Sequence, residues 1–178
     1  MFFNTENEMS QIFESFANSY FKDDDVFVLK EFKGLFGIPD FILIENSGNY
    51  INYIVSIELK LRNWKRALKQ AFRYRSFSNE SYVILDEYNI NLGLKNIEYF
   101  KKFNIGLGSI NSKSELKLFY KPESTKPLST KFNSILENYV INNLLNDNSE
   151  ITWRNFYIDK EYIDNINLHS KLFKFQLF

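Results

Sequence analysis

Apolar residues recur at helical spacing near the start of the chain. Met9, Ile12, Phe13, Phe16 and Tyr20 fall on one face and predict a helix over residues 5–21. Thr5 and Glu8 have the Thr-x-x-Glu spacing of a capping box, in which each side chain satisfies an orphan backbone donor. After the polar turn at 22–25 the period shortens to two. Val26 and Val28 alternate with Phe27 and Leu29, which predicts a strand over 26–33. Gly34 and Gly37 flank a turn, 41–45 reads as a second strand, and Asn46-Ser47-Gly48-Asn49 is a hairpin signal. The run 53–61, rich in β-branched residues, is a third strand. Strands joined by such short turns predict an antiparallel meander.

The helical period returns after Asn63, a suitable N-cap. A helix over 63–76 is expected to turn Trp64, Ala67, Leu68, Ala71, Phe72 and Arg75 inward. Residues 81–85 are short, apolar and bounded by turn signals, so they predict a buried strand. A helix between two such strands implies a crossover and a parallel pairing. Leu94, Ile97, Phe100 and Phe103 mark a short helix, and 105–110 should pair with 115–120. Residues 121–130 hold two of the three prolines and read as a linker. Phe132, Ile135, Leu136, Tyr139, Val140 and Leu144 predict an amphipathic helix beyond it. The aromatic stretch 151–178 reads as a helical or mixed extension packed on the core or in a dimer. The expected division is a core over 1–120, the linker, and the extension over 131–178.

Composition narrows the chemistry. At 178 residues the chain suits one domain, or one domain with an appendage, and its 44% hydrophobic content supplies an ample core. The absence of Cys excludes disulfides, thiolate zinc sites and a Cys nucleophile. A single His, His169, excludes multi-His metal chemistry within one chain. Any metal site must then be oxygen-ligated, which favours Mg²⁺ or Mn²⁺. No apolar run approaches the ~20 residues of a membrane span. The N-terminus lacks the pattern of a signal peptide, so a cytoplasmic, intracellular protein is expected.

Candidate chemistry gathers at two strand ends. Pro39-Asp40 opens the second strand and Glu58-x-Lys60 closes the third, eighteen residues on from Asp40 to Glu58. Residues i and i+2 share a strand face, so Glu58 and Lys60 point the same way and Leu59 points into the opposite layer. Asp40 comes alongside if the two strands pair. Carboxylates that close repel and raise each other's pKa unless a cation lies between them. Asp40, Glu58, the Leu59 carbonyl, water and a phosphate oxygen form a plausible ligand set for a divalent metal. Lys60 is placed to orient an attacking water or steady developing negative charge.

Pro-Asp…Glu-x-Lys, followed by a helix carrying Gln70 and Tyr74, resembles the PD-(D/E)XK nuclease superfamily over roughly residues 5–120. The resemblance implies an α/β, restriction-endonuclease-like core: a mixed central sheet flanked by helices, with a helical C-terminal extension here. It implies a Mg²⁺- or Mn²⁺-dependent endonuclease with Asp40, Glu58, Lys60 and Gln70 in catalysis. The metal would be held by Asp40, Glu58, the Leu59 carbonyl and Glu8. Family members often add an acidic residue from the first helix; Glu8 is the choice, with Glu14 its rival. Tyr74 is implied to lie near the phosphate.

Charge distribution supplies a second line. Totals balance at 22 basic and 22 acidic residues, so no global field draws the chain to nucleic acid. From Leu59 to Asn79, however, seven residues are basic and none acidic. Arg66, Lys69 and Arg73 share one helix face, with Arg62 and Lys65 nearby, a row suited to successive phosphates. The plain alternative is a solvated helix face. DNA is the expected substrate, and cutting a duplex from one site per chain implies a homodimer. The rival expectation is a nuclease-like fold that binds nucleic acid or protein without cleaving. Gly106-x-Gly108 lacks the rest of a phosphate loop and reads as a strand packed closely on a neighbour.

Overall fold

A computed structural model describes residues 3–22, 24–31, 37–47 and 50–141. The tail at 151–178, with Trp153 and His169, lies outside the described residues, as do Leu144 and the first turn's Gly34. The described residues form a six-stranded mixed sheet with strands in sequence order, β1-β2-β3-β4-β5-β6. The strands are β1 (Val26–Lys30), β2 (Phe41–Ser47), β3 (Tyr50–Lys60), β4 (Glu80–Asp86), β5 (Gly106–Ile110) and β6 (Leu116–Tyr120). β1, β2 and β3 pair antiparallel, as the alternating patterns predict. β3–β4 and β4–β5 are parallel, and β6 returns antiparallel to β5.

Helix α1 (Glu6–Tyr20) covers one face. Met9, Phe13 and Ala17 are buried, and Phe13 stacks at a tilt on Phe41 at 4.9 Å. Their partners are the odd-numbered residues of β3: Tyr53, Val55, Ile57 and Leu59. Each such fully buried large side chain contributes roughly 1.5–3 kcal/mol. Thr5 caps the helix by accepting from the Glu8 N–H, but Glu8 reaches back to the N–H of Asn4, one residue earlier than a capping box requires.

The opposite face carries α2 (Trp64–Tyr74), α3 (Ile90–Leu94), α4 (Ile97–Phe103) and α5 (Thr130–Val140). Asn63 caps α2 by accepting from the Arg66 N–H. The inner stripe of α2 is Ala67, Leu68, Ala71 and Tyr74. Phe72, expected inside, is 42% exposed and meets Phe103 edge-on at 5.5 Å. Arg75 is half-buried rather than core, and donates to the Phe103 carbonyl. The helix expected around Leu94 to Phe103 is two helices, separated by a turn and preceded by a 3-10 turn that Asp86 caps.

β1 ends at Lys30, short of the predicted residue 33, because Glu31 turns left-handed at φ 48° while its N–H closes on the Asp40 carbonyl. The segment 121–129 is strapped to the turn after α2: Thr125, Leu128 and Ser129 donate to the carbonyls of Asn79, Arg75 and Ser76. Leu136 and Val140 of α5 bury beside Ile42, Ile44, Tyr74 and Phe77, so this part of the extension packs on the sheet; Ile135, expected inside, is 40% exposed. Gly106 is required by a close approach, since a Cβ there would enter the ring of Tyr82. Among the described residues no helix is long and apolar enough to cross a membrane.

Candidate active site

The site forms where β2 begins and β3 ends. In the β2–β3 register Phe41 faces Ile57, so one residue further Asp40 stands opposite Glu58. The Leu59 N–H donates to Asp40 Oδ2 at 2.7 Å.

Glu58 and Lys60 share the α2-facing side of β3, while Leu59 packs in the α1 layer. Glu58 is 1% exposed. Its Oε2 lies 2.7 Å from the Tyr74 hydroxyl and its Oε1 3.2 Å from Lys60 Nζ. Lys60 Nζ also donates to Glu6 Oε2 at 3.0 Å. Burial pushes the Glu58 carboxyl up to about 7, and the Asp40 charge adds to the shift; Tyr74 and Lys60 oppose it. Asp40 is also raised, chiefly by burial, against the Leu59 N–H and the Lys60 charge. Burial pulls the Lys60 ammonium down, but Glu58, Glu6 and Asp40 together leave it raised, so it stays charged. Three carboxyl groups, Asp40, Glu58 and Glu6, gather round the one ammonium of Lys60, an excess of acidic groups that a divalent cation relieves.

The acidic group that α1 contributes is Glu6. Glu8, expected there from sequence, is an exposed cap at the same helix end, and its rival Glu14 pairs with Lys30 at 2.8 Å. Nothing in the pattern separated Glu6 from Glu8, since both lie in the first turn. Tyr74, expected beside the phosphate, is 1% exposed and holds Glu58 instead. Its hydroxyl also lies 2.9 Å from the Ile38 carbonyl. Gly37 makes room for it, with φ +115° and a would-be Cβ 2.8 Å from Tyr74 Cε1. Gln70 lies one helical turn before Tyr74, and its buried Oε1 has no partner among the described residues. Arg62, Lys65, Arg66, Lys69 and Arg73 are all exposed, outside this buried network.

Among the described residues no three carboxylate or imidazole groups form a ready metal cage. Two carboxylates and a strand carbonyl fit a half-site of the kind Mg²⁺ occupies, in which water and substrate phosphate complete the shell. Compared with protein-family models, curated proteins and solved structures, the chain gives no match.

Proposed function

We propose that this chain is a Mg²⁺- or Mn²⁺-dependent nuclease with a restriction-endonuclease-like core, hydrolysing phosphodiester bonds in nucleic acid, DNA first. One observation carries the reading: Asp40 and Glu58 meet at a strand end with Lys60 against them, in the Pro-Asp…Glu-x-Lys order. A bound divalent cation there supplies Lewis acidity toward the phosphate and a more acidic water. Asp40 and Glu58 are the side chains that would hold it, beside the Leu59 carbonyl.

The remaining chemistry belongs to the chain. Tyr74 fixes the Glu58 carboxyl from the helix side and Lys60 from the strand side, so its rotamer is held before substrate arrives. Lys60, kept charged by its acidic neighbours, supports negative charge that develops on the phosphoryl oxygens. Gln70, with a free acceptor oxygen, orients a donor such as water. The exposed bases of α2 give sequence-independent attraction to the backbone.

A panel of labelled duplex, single-stranded and branched DNA and of RNA, with Mg²⁺ or Mn²⁺, tests the reading. Metal-dependent cleavage of at least one substrate, lost in Asp40→Ala, is expected. Binding without cleavage across the whole panel would leave a nucleic-acid-binding module instead.

A further inference from the structure

On the flank of α2 turned away from Tyr74 lies a groove of about 540 Å³, closed on its far side by α4. Its walls are aromatic: Trp64 and Phe72 from α2, Tyr99 and Phe103 from α4. Trp64 and Tyr99 lie 5.9 Å apart, with Lys65 Nζ 5.6 Å from the Trp64 ring centre. Lys69 stands one helical turn beyond Lys65 on the same lip. Tyr99 is 53% exposed and Phe72 42%, and no carboxylate lines the groove. Exposed rings gathered in one place and rimmed by cations mark a binding surface rather than a solvated helix face.

We propose that this groove binds an unpaired, single-stranded stretch of nucleic acid, with bases stacked on Tyr99 and Phe72 and phosphates on Lys65 and Lys69. Every base offers a π-face once it is unstacked, and aromatic platforms beside a cationic track are how such strands are held without sequence readout. A duplex keeps those faces internal and cannot use the rings. An acidic peptide would satisfy the lysines but leave the aromatic walls half-used. The inference deepens the phosphodiester reading and rests on it for meaning. The groove and the Tyr74–Glu58 pair occupy opposite flanks of one helix, on the order of 10 Å across. A strand held in the groove is kept about one helix width from the carboxylates, and a strand able to round α2 to reach them makes the substrate of this site single-stranded or locally opened.

The test is read in EDTA on the full Asp40→Ala chain, so that cleavage plays no part in it. Binding of a labelled oligothymidine of about 12 nucleotides is compared with that of a duplex of equal length. Tyr99→Ala and Phe72→Ala should each weaken oligothymidine binding by roughly 5- to 150-fold, with the salt slope unchanged and duplex binding within about twofold. Tyr99→Phe, which keeps the ring, should bind as the parent does. Lys69→Ala should lower the salt slope by about 0.7. In a Trp153→Phe background, leaving Trp64 as the one tryptophan, its emission should quench in step with binding. Unchanged oligothymidine affinity in both alanine variants overturns the proposal. So does an equal loss of duplex binding, or displacement by oligoglutamate as effective as by unlabelled strand. Such a failure leaves the cleavage panel, read with metal on the unmodified chain, free to succeed.

Discussion

The Tyr74 hydroxyl stands 2.7 Å from Glu58 Oε2 and 2.9 Å from the Ile38 carbonyl, one proton between two acceptors. When Glu58 is protonated, its own O–H serves one contact and the tyrosine proton the other. When Glu58 ionises, the tyrosine proton is drawn to the carboxylate. Tyr74 thus lowers the cost of ionising a buried acid without removing it. Tyr74→Phe should raise the Glu58 pKa above its present value of about 7 and move the rising limb of the pH–activity profile to more alkaline pH. Losing the hydroxyl should also cost roughly 1–3 kcal/mol of stability. An unshifted carboxyl titration, followed by NMR, would contradict this role.

Glu58 also sets a pH dependence of stability. Its folded pKa, about 7, lies above the ordinary 4.5, so the fold binds this proton more tightly than the unfolded chain does. The resulting stabilisation is complete below about pH 4.5 and is lost as pH rises through 7. Glu58→Gln, neutral and nearly isosteric, should therefore gain on the parent by on the order of 2–3 kcal/mol between pH 4 and pH 8. Urea unfolding at the two pH values checks it. A parallel pH dependence in both proteins would show that Glu58 is not held in a strained ionised state.

Glu6 and Glu8 separate function from capping. Glu6 touches Lys60, whereas Glu8 accepts from the Asn4 N–H. Glu6→Ala should slow cleavage roughly 10- to 100-fold, the usual range for groups that orient a metal site's first neighbours. Glu8→Ala should leave the rate unchanged and slightly lower the melting temperature. The reverse pattern would return the metal-ligand assignment to Glu8.

Gly37 protects the same network from the loop side. Gly37→Ala places a methyl against the Tyr74 ring in a backbone conformation that L-residues avoid. The expected cost is about 1–3 kcal/mol, with a fall in activity that tracks displacement of Tyr74. A stable, fully active variant would mean that Tyr74 does not depend on the tight approach of Gly37.

Much of this was legible in the sequence because single elements carry it. The alternation of 26–29 and 41–45, the apolar run of β3 and the Asn63 cap each depend on neighbours in the chain. The pairing of Asp40 with Glu58 follows from two adjacent strands joined by a hairpin. Choices that depend on distant elements were not legible. Glu6 and Glu8 sit two residues apart, roughly 200° around the helix, and only the position of β3's end under α1 decides which reaches Lys60. Phe72 and Tyr74 flank the same apolar stripe. Phe72 faces outward because α4 offers Phe103 there, and Tyr74 turns in because a buried carboxyl needs its hydroxyl. The groove joins aromatics of α2 to those of α4, and no local period records their meeting.

The most direct measurement of the central claim is nicking of supercoiled plasmid by purified protein in Mg²⁺ or Mn²⁺, with Asp40→Ala prepared in parallel. The account predicts metal-dependent conversion to the open circle by the parent and none by Asp40→Ala, even if opened regions are cut first. Equal nicking by both proteins, or none by the parent on plasmid and single strands alike, would contradict it.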